Sequence, residues 1–416
     1  MTNKKYFPIK TATACQLKWA WSTIVLQNAF TSSCHRVNPH RFDVDTFNFH
    51  NTTEKISQRN TMLAGNWPKA GCDYCENIES TGVGQSDRQF FLDVPDLSPV
   101  ELSINPQATT VSPTILEIYL DNVCNLGCLY CMPSLSSRLD SENKQFGTFN
   151  KNGVILDNTY QKIENYEEVV DQFWKWMQTN ASTLKRVHVL GGEPFFQPQF
   201  EMFFDFFENN PCPNLEFNIV TNLMLPTIKL TRYMDRFKKL ISTKKIRRIE
   251  ITASIDCWGP EQEFTRYGLK LAQWQENFEY IIRQRWIKLN INNTMSALTI
   301  KTLPELILYL NVWAKNRKIE HYFSHVTDPS YMAVNIFGPH EFKQDFDKIL
   351  ESMETTSWRG SHAYTHMKGI AATVANSTIN NIEILKLITF LDEMDKRRNT
   401  NWRTTFNWLV KYENVV

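Results

Sequence analysis

The chain of 416 residues lacks several features that would have assigned it at once. It has almost no net charge: 45 Lys and Arg stand against 44 Asp and Glu, for a formal +1. That balance gives no global pull toward nucleic acid or an anionic membrane. No basic, aromatic-interleaved stretch stands out either, so no nucleic-acid partner is expected. It has no apolar run of about 18 residues, which leaves no expected membrane span. Its start, Met1-Thr2-Asn3-Lys4-Lys5-Tyr6-Phe7-Pro8, has no apolar signal core. Internal repeats and low-complexity tracts are also missing. Cysteine is sparse, nine in the whole chain. A long chain without a signal does not read as a disulfide framework, and its cysteines are expected to bind metal in a reducing cytoplasm. What remains is ordinary globular composition, 42% hydrophobic and 21% charged, with 27 Phe and 12 Trp for packed cores. The length allows one large domain and a smaller one.

From Thr114 onward, strand-like and helix-like segments alternate. Strands are expected at 115–120, 186–190, 216–221, 248–255, 287–294 and 320–326. Helical apolar spacing lies between them, as in Val169, Val170, Phe173, Trp174 and Met177. Such alternation argues for parallel βα units, with the site at the C-terminal ends of the strands. Four stretches follow: 1–95, which carries four cysteines; a Pro-rich linker, 96–113; the βα region, 114–330; and a mostly helical extension, 331–416. Residues 132–158 form a polar insert that reads as a lid or as a long surface loop.

Three cysteines sit together in Cys124-Asn-Leu-Gly-Cys128-Leu-Tyr-Cys131, directly after the first βα strand. Three thiolates can hold three irons of a cubane [4Fe–4S] cluster and leave the fourth iron open; four would close it. A zinc knuckle or plain core cysteines are the alternatives. Zinc would want a fourth ligand nearby, and 132–157 contains neither His nor Cys. Val187-His188-Val189-Leu190-Gly191-Gly192-Glu193-Pro194 reads as a strand ending in a Gly-Gly turn, where backbone can approach a ligand closely.

The C-x3-C-x2-C run, with an aromatic residue before its last cysteine and Gly-Gly-Glu-Pro about 60 residues on, resembles the radical S-adenosylmethionine (SAM) superfamily. The resemblance implies an α/β fold, a partial (β/α)6 barrel. It implies a [4Fe–4S] cluster on Cys124, Cys128 and Cys131, with Tyr130 near the adenine of SAM and Gly191, Gly192, Glu193 and Pro194 at its amino group. Ile251-Thr-Ala-Ser254-Ile-Asp256 resembles the fourth family strand, whose serine contacts SAM. Arg266, twelve residues later, stands where the family places an arginine on the SAM carboxylate, a group its planar fork suits. Asn293 falls where a residue reaches the ribose. Asn222 and Asp256 are candidates on the substrate side.

Cys15, Cys34, Cys72 and Cys75 form the second set. The segment around Gly71-Cys72-Asp73-Tyr74-Cys75 resembles the cysteine-bearing end of a SPASM or twitch module, which holds an auxiliary [4Fe–4S] cluster. The family usually has a glycine where this chain has Ala29, and its module usually follows the barrel instead of preceding it. A four-cysteine zinc site is the alternative for this set.

The resemblance implies an enzyme that reductively cleaves SAM to a 5′-deoxyadenosyl radical and takes hydrogen from a substrate. An electron donor of the flavodoxin or ferredoxin type would serve it, and the basic stretch Lys244-Lys245-Ile246-Arg247-Arg248 is a candidate docking patch. With an auxiliary cluster, the expected outcome is a net oxidation or crosslink on a peptide or protein. A dehydrogenase acting on a sugar, alcohol or nucleotide-like molecule is the alternative. A structural zinc-binding interaction protein is the alternative of another class.

Overall fold

The structure, a computed structural model, describes residues 7–414 except 70, 83–84, 93, 96, 158–159, 316 and 357. The first six residues, read above for a signal, lie outside the described residues, as do the first position of the linker and the last of the insert. Described strands are β1 (Trp21–Val25), β2 (Phe30–Ser32), β3 (His40–Arg41), β4 (Ile115–Tyr119), β5 (Gly127–Cys128), β6 (Phe149–Lys151) and β7 (Val154–Leu156). They continue with β8 (Arg186–Leu190), β9 (Cys212–Thr221), β10 (Ile246–Ser254), β11 (Arg266–Tyr267), β12 (Lys288–Met295) and β13 (Glu320–His325). The fold is mixed α/β with a mostly parallel sheet.

The six expected βα strands are β4, β8, β9, β10, β12 and β13. Helices Tyr166–Asn180, Pro198–Asn209, Thr227–Ser242, Leu271–Arg283 and Leu303–Ala314 alternate with them along the chain. β9 begins four residues earlier than its periodicity suggested, which makes Cys212 a buried strand residue.

The chain divides into two compact units. The first comprises Met1–Asp121, Gln161–Ile219 and Asp235–Ile249. Its strands lie in the order β9-β8-β4-β1-β2-β3. β4 carries Ile115, Leu116 and Ile118 with no exposed surface, the apolar run of a strand covered on both faces. β1 pairs with it in parallel, Trp21 against Ile115 through Val25 against Tyr119. The cysteine-bearing N-terminal stretch thus extends the sheet. The Pro-rich stretch after it is anchored, since Leu97, Leu102 and Val111 are buried. Phe200, Phe203, Phe207 and Phe217 pack mostly edge to face in the core of this unit.

The second unit comprises Asn122–Tyr160, Val220–Met234 and Glu250–Val416. β10, β12 and β13 run parallel in it, Glu250 against Lys288 and Asn290 against Glu320. Trp274 stacks on Phe278 with ring centroids 4.7 Å apart. The polar insert has structure of its own. Ser136 caps helix Ser137–Phe146 by accepting from the Leu139 N–H. β6 and β7 form a hairpin turned by Asn152 and Gly153, both at positive φ (50° and 82°) as a type I′ turn requires. The extension is helical, with Lys343–Glu354, His362–Ala375 and Asn381–Arg398 as its longer helices. Among the described residues, no helix is long and apolar enough to cross a membrane.

Candidate active site

In the second unit, the three-cysteine loop is bound to the chain that follows β10. β5, which ends in Cys128, pairs antiparallel with β11, placing Arg266 opposite Cys128 and Tyr267 opposite Gly127. The Leu129 N–H donates to the Thr265 carbonyl at 2.9 Å. Arg138 and Arg398 both lie over the Tyr267 ring, at 4.5 and 4.6 Å, and Arg138 donates to the Asn125 carbonyl. Asn125 donates to the Met224 carbonyl and accepts from the Asn222 amide at 2.9 Å. The Leu126 N–H points at the Cys124 sulfur (3.5 Å), and the Asn222 amide stands 4.0 Å from it. Donors aimed at sulfur suit a thiolate ligand.

Asp256 is the hub of the residues beyond β10. It is fully buried and accepts both arms of the Arg266 fork, at 2.8 and 2.9 Å. It also accepts from the Tyr130 hydroxyl (2.6 Å) and the Thr294 N–H (3.0 Å). Gln262 holds the turn by accepting from the N–H groups of Asp256 and Cys257. Asn293, buried, donates its amide to the Ile255 and Asp256 carbonyls, and its own amide oxygen has no partner among the described residues. Ser254 is buried at the end of β10, where the Trp274 ring N–H donates to its carbonyl. Tyr130, Asp256, Arg266 and Asn293 thus form one buried network. Arg266 spends its fork on Asp256, a partner the motif alone does not show.

Burial pushes the Cys131 thiol up to about 12. It also raises Cys128, against which the Arg266 and Arg398 charges pull down. The thiols are therefore protonated until a metal displaces the protons.

In the first unit, Gly191 and Gly192 follow β8 at φ 81° and 59°. A Cβ on Gly191 would lie 2.3 Å from the Tyr119 ring, so only glycine fits. Gln197 ties this turn by donating to the Gly191 and Asp121 carbonyls. Glu193 is buried and accepts from the Phe195 N–H at 3.4 Å.

Also in the first unit, Cys15, Cys34, Cys72 and Cys75, distant in sequence, line one cavity. The Arg36 N–H points at the Cys34 sulfur (3.4 Å). Ala29, where the resembled family has glycine, adopts φ 54°, which is left-handed and accounts for the family's preference.

Among the described residues no three Cys, His, Asp or Glu side chains converge closely enough to hold a single metal ion. By donor chemistry, three thiols in one loop would suit an open-cornered cubane, and four lining one cavity a closed one.

A further cavity of ≈ 200 Å³ opens in the second unit beside Tyr130 and Cys131. The insert lines it with Leu139, Glu142 and Ile155, and helix Asn381–Arg398 with Phe390, Met394 and Arg398. Arg398 donates both arms of its fork to Glu142, at 2.9 and 3.1 Å. Sequence reasoning gave that helix only as part of a mostly helical extension and passed over Asn125, Gln262 and Arg398, whose partners lie up to 256 positions away. Only the Asn152-Gly153 turn was legible locally as a sign that the insert is ordered.

Residues 118–299 match the model of the Radical SAM superfamily. The chain carries a radical SAM domain and is an enzyme of that class, which works with a [4Fe–4S] cluster and SAM. Among solved structures, it is similar to Streptococcus suis SuiB bound to precursor peptide SuiA, at 12% identity and TM-score 0.39 over 84% of this chain and 73% of that one. SuiB bound to S-adenosylmethionine matches at 12% and 0.38, over 80% and 69%. SuiB alone matches at 13% and 0.38, over 86% and 73%. No curated protein matches.

Proposed function

We propose that the enzyme holds its catalytic [4Fe–4S] cluster on Cys124, Cys128 and Cys131 and binds SAM at the iron left open. Together the cluster and SAM, when bound, supply a carbon-centred radical that removes a hydrogen atom from substrate. Within the first unit, Gly191, Gly192 and Glu193 offer backbone carbonyls and a carboxylate of the kind that accepts from an ammonium. Ser254 and Asn293 offer polar atoms at the ends of their strands. Arg266 acts through Asp256, fixing the carboxylate that orients Tyr130. Insert and C-terminal helix wall a cavity beside the three-cysteine loop that could receive substrate. The reading is carried by the cysteine loop being paired, through β5 and β11, to the Asp256 network.

We further propose that Cys15, Cys34, Cys72 and Cys75 hold an auxiliary cluster, that the net reaction is an oxidation or crosslink on a peptide or protein, and that it runs in the cytoplasm with a flavodoxin- or ferredoxin-type donor. The test of the first reading is direct. Anaerobically reconstituted protein given dithionite and SAM releases 5′-deoxyadenosine, and Cys124→Ala releases none. Unchanged release by that variant rejects the assignment. Incubation with peptides or with sugars and alcohols, followed by mass spectrometry for loss of hydrogen, separates the two substrate classes.

A further inference from the structure

The cavity lined by Cys15, Cys34, Cys72 and Cys75 is also lined by Lys18, Arg36 and Arg88. Two of these cations already have carboxylates: Arg36 donates to Asp87 at 3.0 Å, and Arg88 forms an ion pair with Glu79. Lys18 differs. It is 2% exposed, its ammonium donates to the Gln58 side-chain oxygen at 2.5 Å, and it lines the cavity together with Cys72. Two more buried cations stand with it. Lys55 donates to the hydroxyls of Ser22 and Thr31, both at 2.8 Å. Arg59 donates to the carbonyl of Lys18 itself (2.8 Å), to the carbonyls of Thr109 and His50, and to the Asn51 side chain.

None of Lys18, Lys55 and Arg59 has a carboxylate within ion-pair distance among the described residues. Removing one ammonium from water costs several kcal/mol unless an anion goes with it. Burial, and then the charges of Arg59 and Lys18, accordingly push Lys55 well below its ordinary basicity. Three buried basic side chains without a carboxylate are an expensive arrangement for a packed core. It becomes reasonable beside a buried anion. A cubane held by four thiolates is such an anion, with about two negative charges when oxidised and about three when reduced.

We infer that Lys18 is the counter-charge of the four-cysteine group, with Lys55 and Arg59 beyond it, and that it raises the reduction potential of the cluster held there. The inference rests on reading those cysteines as an auxiliary cluster site. An added electron increases the negative charge of a buried centre, so fixed positive charge nearby favours the reduced form. That effect poises this cluster to accept electrons.

The test uses the full chain carrying Cys124→Ala, reconstituted anaerobically so that the auxiliary cluster alone gives a signal. Its midpoint potential is read by potentiometric titration with electron paramagnetic resonance. Lys18→Met is expected to move the potential to a more negative value at unchanged iron content, and Lys18→Arg to leave it near that of the parent. A Lys18→Met protein with full iron and an unmoved potential overturns the role of Lys18 while leaving the cluster in place. If Lys18→Met binds no iron, Lys55→Met decides, with a smaller shift in the same direction expected and no shift counting against the proposal. Zinc, or no metal, in the parent protein overturns the auxiliary-cluster reading and this inference together.

Discussion

At the scale of single residues, the site depends on groups that no local pattern links. Asp256 is buried and takes four hydrogen bonds, from Arg266, Tyr130 and the Thr294 backbone. Removing its charge leaves a buried guanidinium without a counter-ion, which costs about 3–5 kcal/mol. Asp256→Asn is therefore expected to lower the unfolding free energy of the metal-free protein by that amount in denaturant titrations. Adding Arg266→Met should recover part of the loss, since the double change removes the orphaned charge as well. Simple additivity of the two losses would mean that the pair is not coupled. Gly191 is the opposite case: its positive φ and its contact with Tyr119 explain a glycine that the motif had marked.

Among the elements, the polar insert and the C-terminal helix changed most in meaning. From sequence, one reads as a lid or a long surface loop and the other as part of a mostly helical extension. They meet through Glu142 and Arg398, both nearly buried, beside the cavity that Tyr130 and Cys131 line. Glu142→Gln is expected to destabilise this contact by about 3–5 kcal/mol, again by stranding a buried guanidinium. Hydrogen exchange should then quicken in helix Ser137–Phe146 and in the β6–β7 hairpin, while β12 keeps its protection. Unaltered exchange in the insert would show that the hairpin and helix do not need the pair. The helix at Pro198–Asn209, by contrast, was readable from its phenylalanine spacing, because a buried helix face is written in the sequence.

For the whole molecule, the expectation concerns metal. Holoprotein purified without oxygen should carry about eight irons if both cysteine sets hold cubanes, and about four if only the loop does. Replacing Cys15, Cys34, Cys72 and Cys75 together by Ala should halve the iron and leave SAM cleavage in place, with turnover of substrate lost. Abolished SAM cleavage in an otherwise folded protein would count against separate roles for the two sets. A colourless zinc protein would remove the radical chemistry altogether.

The sequence alone determined the six βα strands, because alternation of apolar strands and amphipathic helices is a local signal. It marked the three-cysteine loop and the Gly-Gly turn as candidates as well, because metal ligation and close backbone approach demand particular residues at particular spacing. Tertiary structure decided the rest. It brought Cys15 and Cys34 to the same cavity as Cys72 and Cys75, ran β1 alongside β4, placed Asp256 under Arg266 and Tyr130, and left Lys18, Lys55 and Arg59 buried without a carboxylate partner among the described residues. Those contacts join residues far apart in the chain, and their energies come from burial and charge that exist only once the chain is folded.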